Sequence, residues 1–281
     1  MADVITGNTQ LTATKEAVIA AIVQKELKFA SKMLPLVTDV SVFAGKGAKS
    51  VSFPKLASFT VTNRASGVAG DASTLLSSVD TIALDQNAYV AWIIDSMDET
   101  QTKIEAQLEF AKRAASAHGR YVDSYIVGQL LAAAGLDAGA VPITRDLILD
   151  MHAFLLGNDA DPNALALVIG VDQQKEMLKI AEFTQAQIFG NAVIPNGQIG
   201  SVYGVPVIVS NEPTLVGKAL MFEKSGYAIA FQKAPAMSEQ LANQYGTSAK
   251  RVAMDQLFGG SAMQLGEKGL LATQSPLIAK I

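Results

Sequence analysis

Two histidines, His118 and His152, are the first candidates for chemistry in this chain, and no cysteine stands beside them. A zinc site wants three or four ligands from His, Cys or carboxylate at short, regular spacing. Neither histidine has another at i+4, and His118 falls in the middle of a helical pattern. Both read as packing residues, and no metal site is expected. The stretch Asp159-Ala160-Asp161-Pro162-Asn163-Ala164 resembles the start of a calcium loop. It fails where the geometry is strict: position six needs Gly and has Ala164, and position twelve needs a bidentate Glu and has Gly170. A polar turn ahead of a strand is the expectation. Gly190, Gly197, Gly200 and Gly204 are spaced for a turn-rich connection, with neither GxxxxGK[ST] nor a strand-borne GxGxxG to cradle phosphate. No GxSxG elbow is present, so the serines lack the setting of a hydrolase nucleophile. No cofactor is expected.

The remaining candidates are charged and aromatic. Asp98/Glu99 and Glu105/Glu109 are paired carboxylates on one long helical pattern, where an acidic stripe open to solvent or to another subunit is the simpler reading. Tyr89, Trp92, Tyr121 and Tyr125 form the one aromatic concentration, and strand-on-helix packing explains them better than base stacking.

The elements that would carry these residues follow from periodicity. Thr12 or Thr14, Glu16 and the stripe Val18, Ile19, Ile22, Val23, Leu27 and Phe29 predict a helix that Pro35 stops. Val51 and Phe53 alternate with serines, and so do Phe59 and Val61, which is the period of strands. Strand character returns at Thr81–Leu84 and Tyr89–Ile94. Between them lies the small-residue stretch NRASGVAGDASTLLSS. The prediction is a long hairpin with a mobile tip. Such a hairpin is marginal alone and needs a surface to lie on.

Ser96 and Glu99 fit a capping box that opens a helix over 96–134, with Ile104, Leu108, Ala111, Ala115, Val122 and Ile126 on one face and Gly135 as its C′ residue. That span is on the order of 50–60 Å, long enough to be a spine. From 143 to 234 helices (Thr144–Leu156, Asp172–Ala181, with Thr144 and Asp172 as caps) alternate with short strands at Ala164–Val171, Pro206–Ser210, Ala219–Phe222 and Ala228–Phe231. Thr247–Gln256 alternates again, and the chain is expected to return here against residues 82–94. The fold class is α+β.

Composition narrows the function classes. Of 281 residues, 49% are apolar and 17% charged, which excludes a disordered chain. The longest apolar runs fall far short of the ~20 residues that a spanning helix requires. The polar start MADVITGNTQ has neither the basic nor the apolar region of a signal peptide. Net charge is −4, but residues 1–64 hold eight basic and four acidic residues. A basic first quarter and an acidic remainder can attract each other between copies of one chain. The basic residues are too dispersed for a nucleic-acid reader.

The order of parts runs arm, extended hairpin, spine helix, compact α/β unit, strand return, with QIFGNAVIPNGQIGSVYGVPVIVSN at Gln187–Asn211 and Gly204-Val205-Pro206-Val207 within it. In this order and in that stretch, the chain resembles the major capsid proteins of tailed bacteriophages, the Hong Kong 97-type fold. The resemblance covers nearly the whole chain. It implies an N-terminal arm (1–39), an extended hairpin or E-loop (40–85) and a peripheral domain (86–142 and 232–281) with spine helix 96–134. It also implies a compact axial domain (143–231).

The function it implies is a non-enzymatic shell subunit that assembles into hexamers and pentamers of an icosahedral capsid. The capsid would enclose double-stranded DNA without sequence-specific contacts, as part of a virion assembled in the host bacterial cytoplasm. A portal protein and a separate scaffolding protein are the implied partners, a decoration protein is compatible with it, and no membrane is involved. The expected subunit contacts are Lys46, Lys49, Lys55 and Arg64 of one copy against Asp98, Glu99, Glu105 and Glu109 of the next. An encapsulin-like compartment shell with the same fold is the alternative. A small-molecule enzyme built on the α/β unit is the remote one.

Overall fold

The computed structural model describes residues 31–56, 63, 66, 77–94, 105–139, 141–180, 198–241, 249–263 and 275–281. The expected arm helix, its caps, the hairpin tip and the capping box at Ser96 and Glu99 lie outside them.

The spine is α1, Glu105–Ala133, 29 residues and so ~43 Å long. Its inward stripe, Val122, Ile126, Val127 and Leu130, is fully buried. This stripe lies between two sheets. On one side are Tyr227, Ile229 and Phe258, and on the other Val168, Leu220, Phe222 and Ile278. The nearer end of α1 is thinner: Ala111, Ala114 and Ala115 let it approach Val90, Trp92, Met237 and Met254. Gly135 does not end the helix in a left-handed turn. It belongs to strand β5, Ala134–Asp137, which follows Ala133 directly. That strand pairs with the chain's C-terminal strand, from Ser275↔Ala134 to Lys280↔Asp137.

The four-stranded sheet has the order β1-β10-β11-β4, with β1 Thr38–Asp39, β4 Gln86–Ile94, β10 Tyr227–Leu241 and β11 Lys250–Ala262. β11 runs antiparallel to β4 from Lys250↔Ile94 to Phe258↔Gln86, which is the expected return of the chain. Val252, Met254, Gln256 and Phe258 face α1, while Arg251, Ala253 and Asp255 face outward, so period two is kept. The segment Ala228–Phe231 is not a short strand of the α/β unit. It opens the 15-residue β10, whose register with β11 shifts around Lys233 just ahead of Pro235, a residue that cannot donate to a ladder.

The six-stranded sheet has the order β5-β12-β9-β6-β8-β7, with β6 Leu165–Ile169, β7 Gln198–Val202, β8 Val205–Val209, β9 Ala219–Glu223 and β12 Ser275–Lys280. Every residue of β6 is buried because α1 covers one face of it and helices cover the other. Those helices are α2, Arg145–Leu156, and α3, Val171–Met177. Thr144 caps α2 as expected, its hydroxyl accepting from the Leu147 N–H. Asp172 does not cap α3; Gly170 takes that place, and Asp172 sits in the first turn. There its charge complements the helix dipole. The tail strand β12 lies between β5 and β9 rather than near residues 82–94. β7 and β8 are joined by Tyr203-Gly204, at φ 51 and 83. Two left-handed residues form the turn that suits a two-residue hairpin.

Candidate assembly surfaces

The hairpin consists of β2, Ser50–Leu56, and β3, Ser77–Ala83, paired from Ser50↔Ala83 to Leu56↔Ser77. β4 is not part of it. The surface that the hairpin was expected to need is, at its root, supplied by its own chain. Val51, Ile82 and Leu84 pack with Ala228, Ala230 and Met263 on the sheet face opposite α1. Two side-chain bonds reinforce this, Gln232 Nε2 donating to the carbonyls of Gly45 (2.9 Å) and Ala48 (2.8 Å). Leu84 N also donates to Lys49 O at 3.0 Å. Apolar surface remains outside this contact. Val42 is 93% exposed and Phe43 65%, Phe43 standing edge-on to Phe53 at 5.8 Å, and Val79 is 60% exposed.

Lys46 and Lys49 are exposed at the hairpin root. Lys55 lies in β2, and Glu105 and Glu109 lie in α1. Their side chains, and Arg64, Asp98 and Glu99 altogether, lie outside the described residues. Further along α1 the exposed face carries Arg113 and Arg120. Any acidic stripe is therefore confined to the start of the helix.

The aromatic group divides. Tyr121 and Tyr125 stand edge-on to Phe258 at 6.1 and 5.4 Å, and Trp92 packs on the alanines of α1. Tyr89 does not pack on the helix. It lies on the outer face of the sheet, with the Arg251 guanidinium 5.9 Å from its ring centre.

One anchoring site escaped the sequence reading. Asp123, on the buried side of α1, accepts bonds from Ser31 Oγ, Lys32 N (2.9 Å) and Met33 N (3.2 Å). Burial raises its carboxyl pKa, and these three donors oppose the rise. Lys32 Nζ reaches Val209 O at 2.9 Å, and Val40 N reaches Ile229 O at 2.8 Å. The end of the arm is thus tied to α1 and to both sheets. The available signal was a carboxylate inside an apolar stripe: Asp123 shares its helix face with Val127 and Leu130.

His118 and Gln256 are buried opposite each other's elements, and none of their side-chain polar atoms has a hydrogen-bond partner among the described residues. Burial lowers the His118 pKa. His152 is half-buried on α2. Among the described residues no group of His, Asp and Glu could hold a metal ion. The Asp159–Ala164 stretch is a polar turn, with the Asp161 carboxylate accepting from Asn163 N at 2.9 Å. No described helix is long and apolar enough to cross a membrane.

Residues 26–270 match the family model described as phage capsid protein. Comparison with curated proteins yields no match in sequence. Solved structures are similar across most of the chain. That of Mycobacterium phage Che8 has a TM-score of 0.70 at 18% identity, covering 89% of this chain and 90% of that one. The mature capsid of bacteriophage PhiM1 gives 0.65 at 13% identity, covering 89% and 86%. The virus-like particle from Pyrococcus furiosus gives 0.60 at 10% identity, covering 95% and 99%. The described residues make a hairpin root packed on a sheet, a spine helix between two sheets, and a segment at Ser31–Met33 bonded to that helix. The chain belongs to the phage capsid protein family and is a major capsid protein of the Hong Kong 97-type fold, a structural component of the virion shell and not an enzyme.

Proposed function

We propose that this subunit builds the icosahedral shell around the double-stranded DNA genome of a tailed bacteriophage. The match to the phage capsid family over residues 26–270 carries the reading. In it, residues 1–39 are the arm, 40–85 the extended hairpin, 86–142 with 232–281 the peripheral domain and 143–231 the axial domain. Hexamers and pentamers form in the host bacterial cytoplasm with a separate scaffolding protein and a portal protein. DNA lies inside without sequence-specific contacts, and the outer wall can take a decoration protein. Lys46, Lys49, Lys55 and Arg64 of one subunit meet Asp98, Glu99, Glu105 and Glu109 of the next. The exposure of Lys46 and Lys49 at the hairpin root supports that pairing. Charges at a rim set register and on-rate more than affinity.

Electron microscopy of purified particles tests the reading. Icosahedral shells holding nuclease-protected DNA, with a tail at one vertex, are expected. A lone monomer at micromolar concentration overturns it. The double variant Glu105→Lys with Glu109→Lys should hinder assembly or shift its salt dependence, and an unchanged salt response refutes the charge pairing. The second reading is an encapsulin-like compartment, and the shared fold with the virus-like particle from Pyrococcus furiosus, at a TM-score of 0.60, is compatible with it. DNA-free shells around a protein cargo would select it.

A further inference from the structure

An open sheet ends in two strands whose outward N–H and C=O groups can template another strand, and natural proteins blunt such edges. The four-stranded sheet ends in β1 and β4, and the six-stranded sheet in β5 and β7. Three of these four edges are blunted. β1 has two residues. β5 has four, and its pairing with β12 shifts register. β7 carries Gly200 at φ 61 and shifts register against β8 between Gln198 and Ser201. The hairpin's own strands carry Pro54 and Lys55 in β2 and Asp80 in β3.

β4 has none of these devices. Its nine residues, QNAYVAWII, contain no Pro, Gly or charge, and they pair with β11 without a register shift from end to end. Alternate residues of a paired strand turn both backbone groups away from the partner. Among the described residues β11 is the one strand beside β4. The outer face of that edge is apolar, with Tyr89 52% and Ile93 45% exposed.

We propose that β4 is an edge between subunits, which receives an extended strand from a second copy of this chain. The occupant follows from the shell reading, on which the inference rests: in a capsid, the chain that lies beside every subunit is another copy of itself. Main-chain bonding along an edge gives affinity without demanding one side-chain fit. The unusual sequence of β4 is then a consequence of use, since gatekeeper residues on it would block assembly.

Hydrogen exchange of the 86–94 peptide, read by mass spectrometry in unassembled subunits and in shells, tests the proposal. In the free subunit the amides that face β11 should be protected and the others fast. In shells the fast set should slow at least tenfold. Shells that form with the exchange of this peptide unchanged overturn the proposal and leave the shell reading standing, whereas a failure to form any particle overturns both. The variant Ala91→Lys with Ile93→Lys places charge on the outer face without touching the α1 side. It should keep the subunit's melting temperature and lose at least tenfold in shell yield, and shells at the wild-type yield overturn the proposal. If that variant fails to fold, the exchange experiment on the natural chain decides.

Discussion

Gly259→Ala puts the joint between hairpin and sheet to a direct test. Gly259 lies in β11 where that strand passes the turn between β3 and β4. A Cβ there would sit 2.8 Å from the Ala83 carbonyl carbon and 3.1 Å from Leu84 Cα, with Ala83 O nearer still. All three are backbone atoms, so no rotamer change relieves the overlap. Either β11 bows or the hairpin root lifts off Ala228, Ala230 and Met263, its partners in the buried cluster. Overpacking costs about 1–3 kcal/mol. A disturbed backbone bond such as Leu84 N to Lys49 O adds about 1 kcal/mol. The sum is ~3 kcal/mol, which for a chain of this size lowers the melting temperature by about 6–12 °C. Gly128→Ala is the control: it lies on α1 with nothing within 4 Å of the new Cβ. It should be neutral or gain up to ~1 kcal/mol from helix propensity. Thermal melts of the soluble subunit followed by circular dichroism read both. A Gly259→Ala subunit melting within 2 °C of the natural one would refute the close approach on which the argument rests.

Asp123→Ala strands Ser31 Oγ and the N–H groups of Lys32 and Met33, and should cost ~3 kcal/mol. Tryptic cleavage after Lys32 should accelerate at least tenfold, and unchanged cleavage counts against the anchor. Burial holds the His118 pKa below its ordinary 6.5, against the opposing pull of Asp255. Its contribution to stability is therefore complete above that value and lost as pH falls through the folded pKa. Melting temperatures of the natural chain should drop between pH 7 and 5, and those of His118→Met should drop less. Parallel curves contradict this. Tyr227 has a buried hydroxyl with no partner among the described residues. Tyr227→Phe should leave the melting temperature equal or raise it, because an unsatisfied polar group is removed. A fall of several degrees would reveal a hidden bond.

Much of the fold was legible because helix and strand periods are local. The alternation at Val51 and Phe53, the stripe of α1, the Thr144 cap and the wet face of β11 all appear where the pattern puts them. Local pattern also misled. Gly135 after a long helical run has the signature of a C′ residue, yet the chain enters β5 there because β12 waits to pair with it. Asp172 has the signature of a cap, yet Gly170 holds that position because β6 ends at Ile169. The surfaces for assembly were less legible. Charge was visible by type and position, whereas the Asp123 anchor needed Ser31 to lie beside α1, 92 residues away in sequence.

By itself the sequence determined which segments are helix or strand, which faces are apolar, that catalytic motifs are missing, and the order of parts that marks the family. The tertiary structure decided which strands meet. It sent β12 to the six-stranded sheet while β11 returned to β4, placed the hairpin root on the back of the sheet, and left β4 an edge among the described residues. The reason is physical. Periodicity is a property of neighbouring residues and is written in any short window, whereas pairing depends on which distant segments the shared core brings within hydrogen-bonding distance.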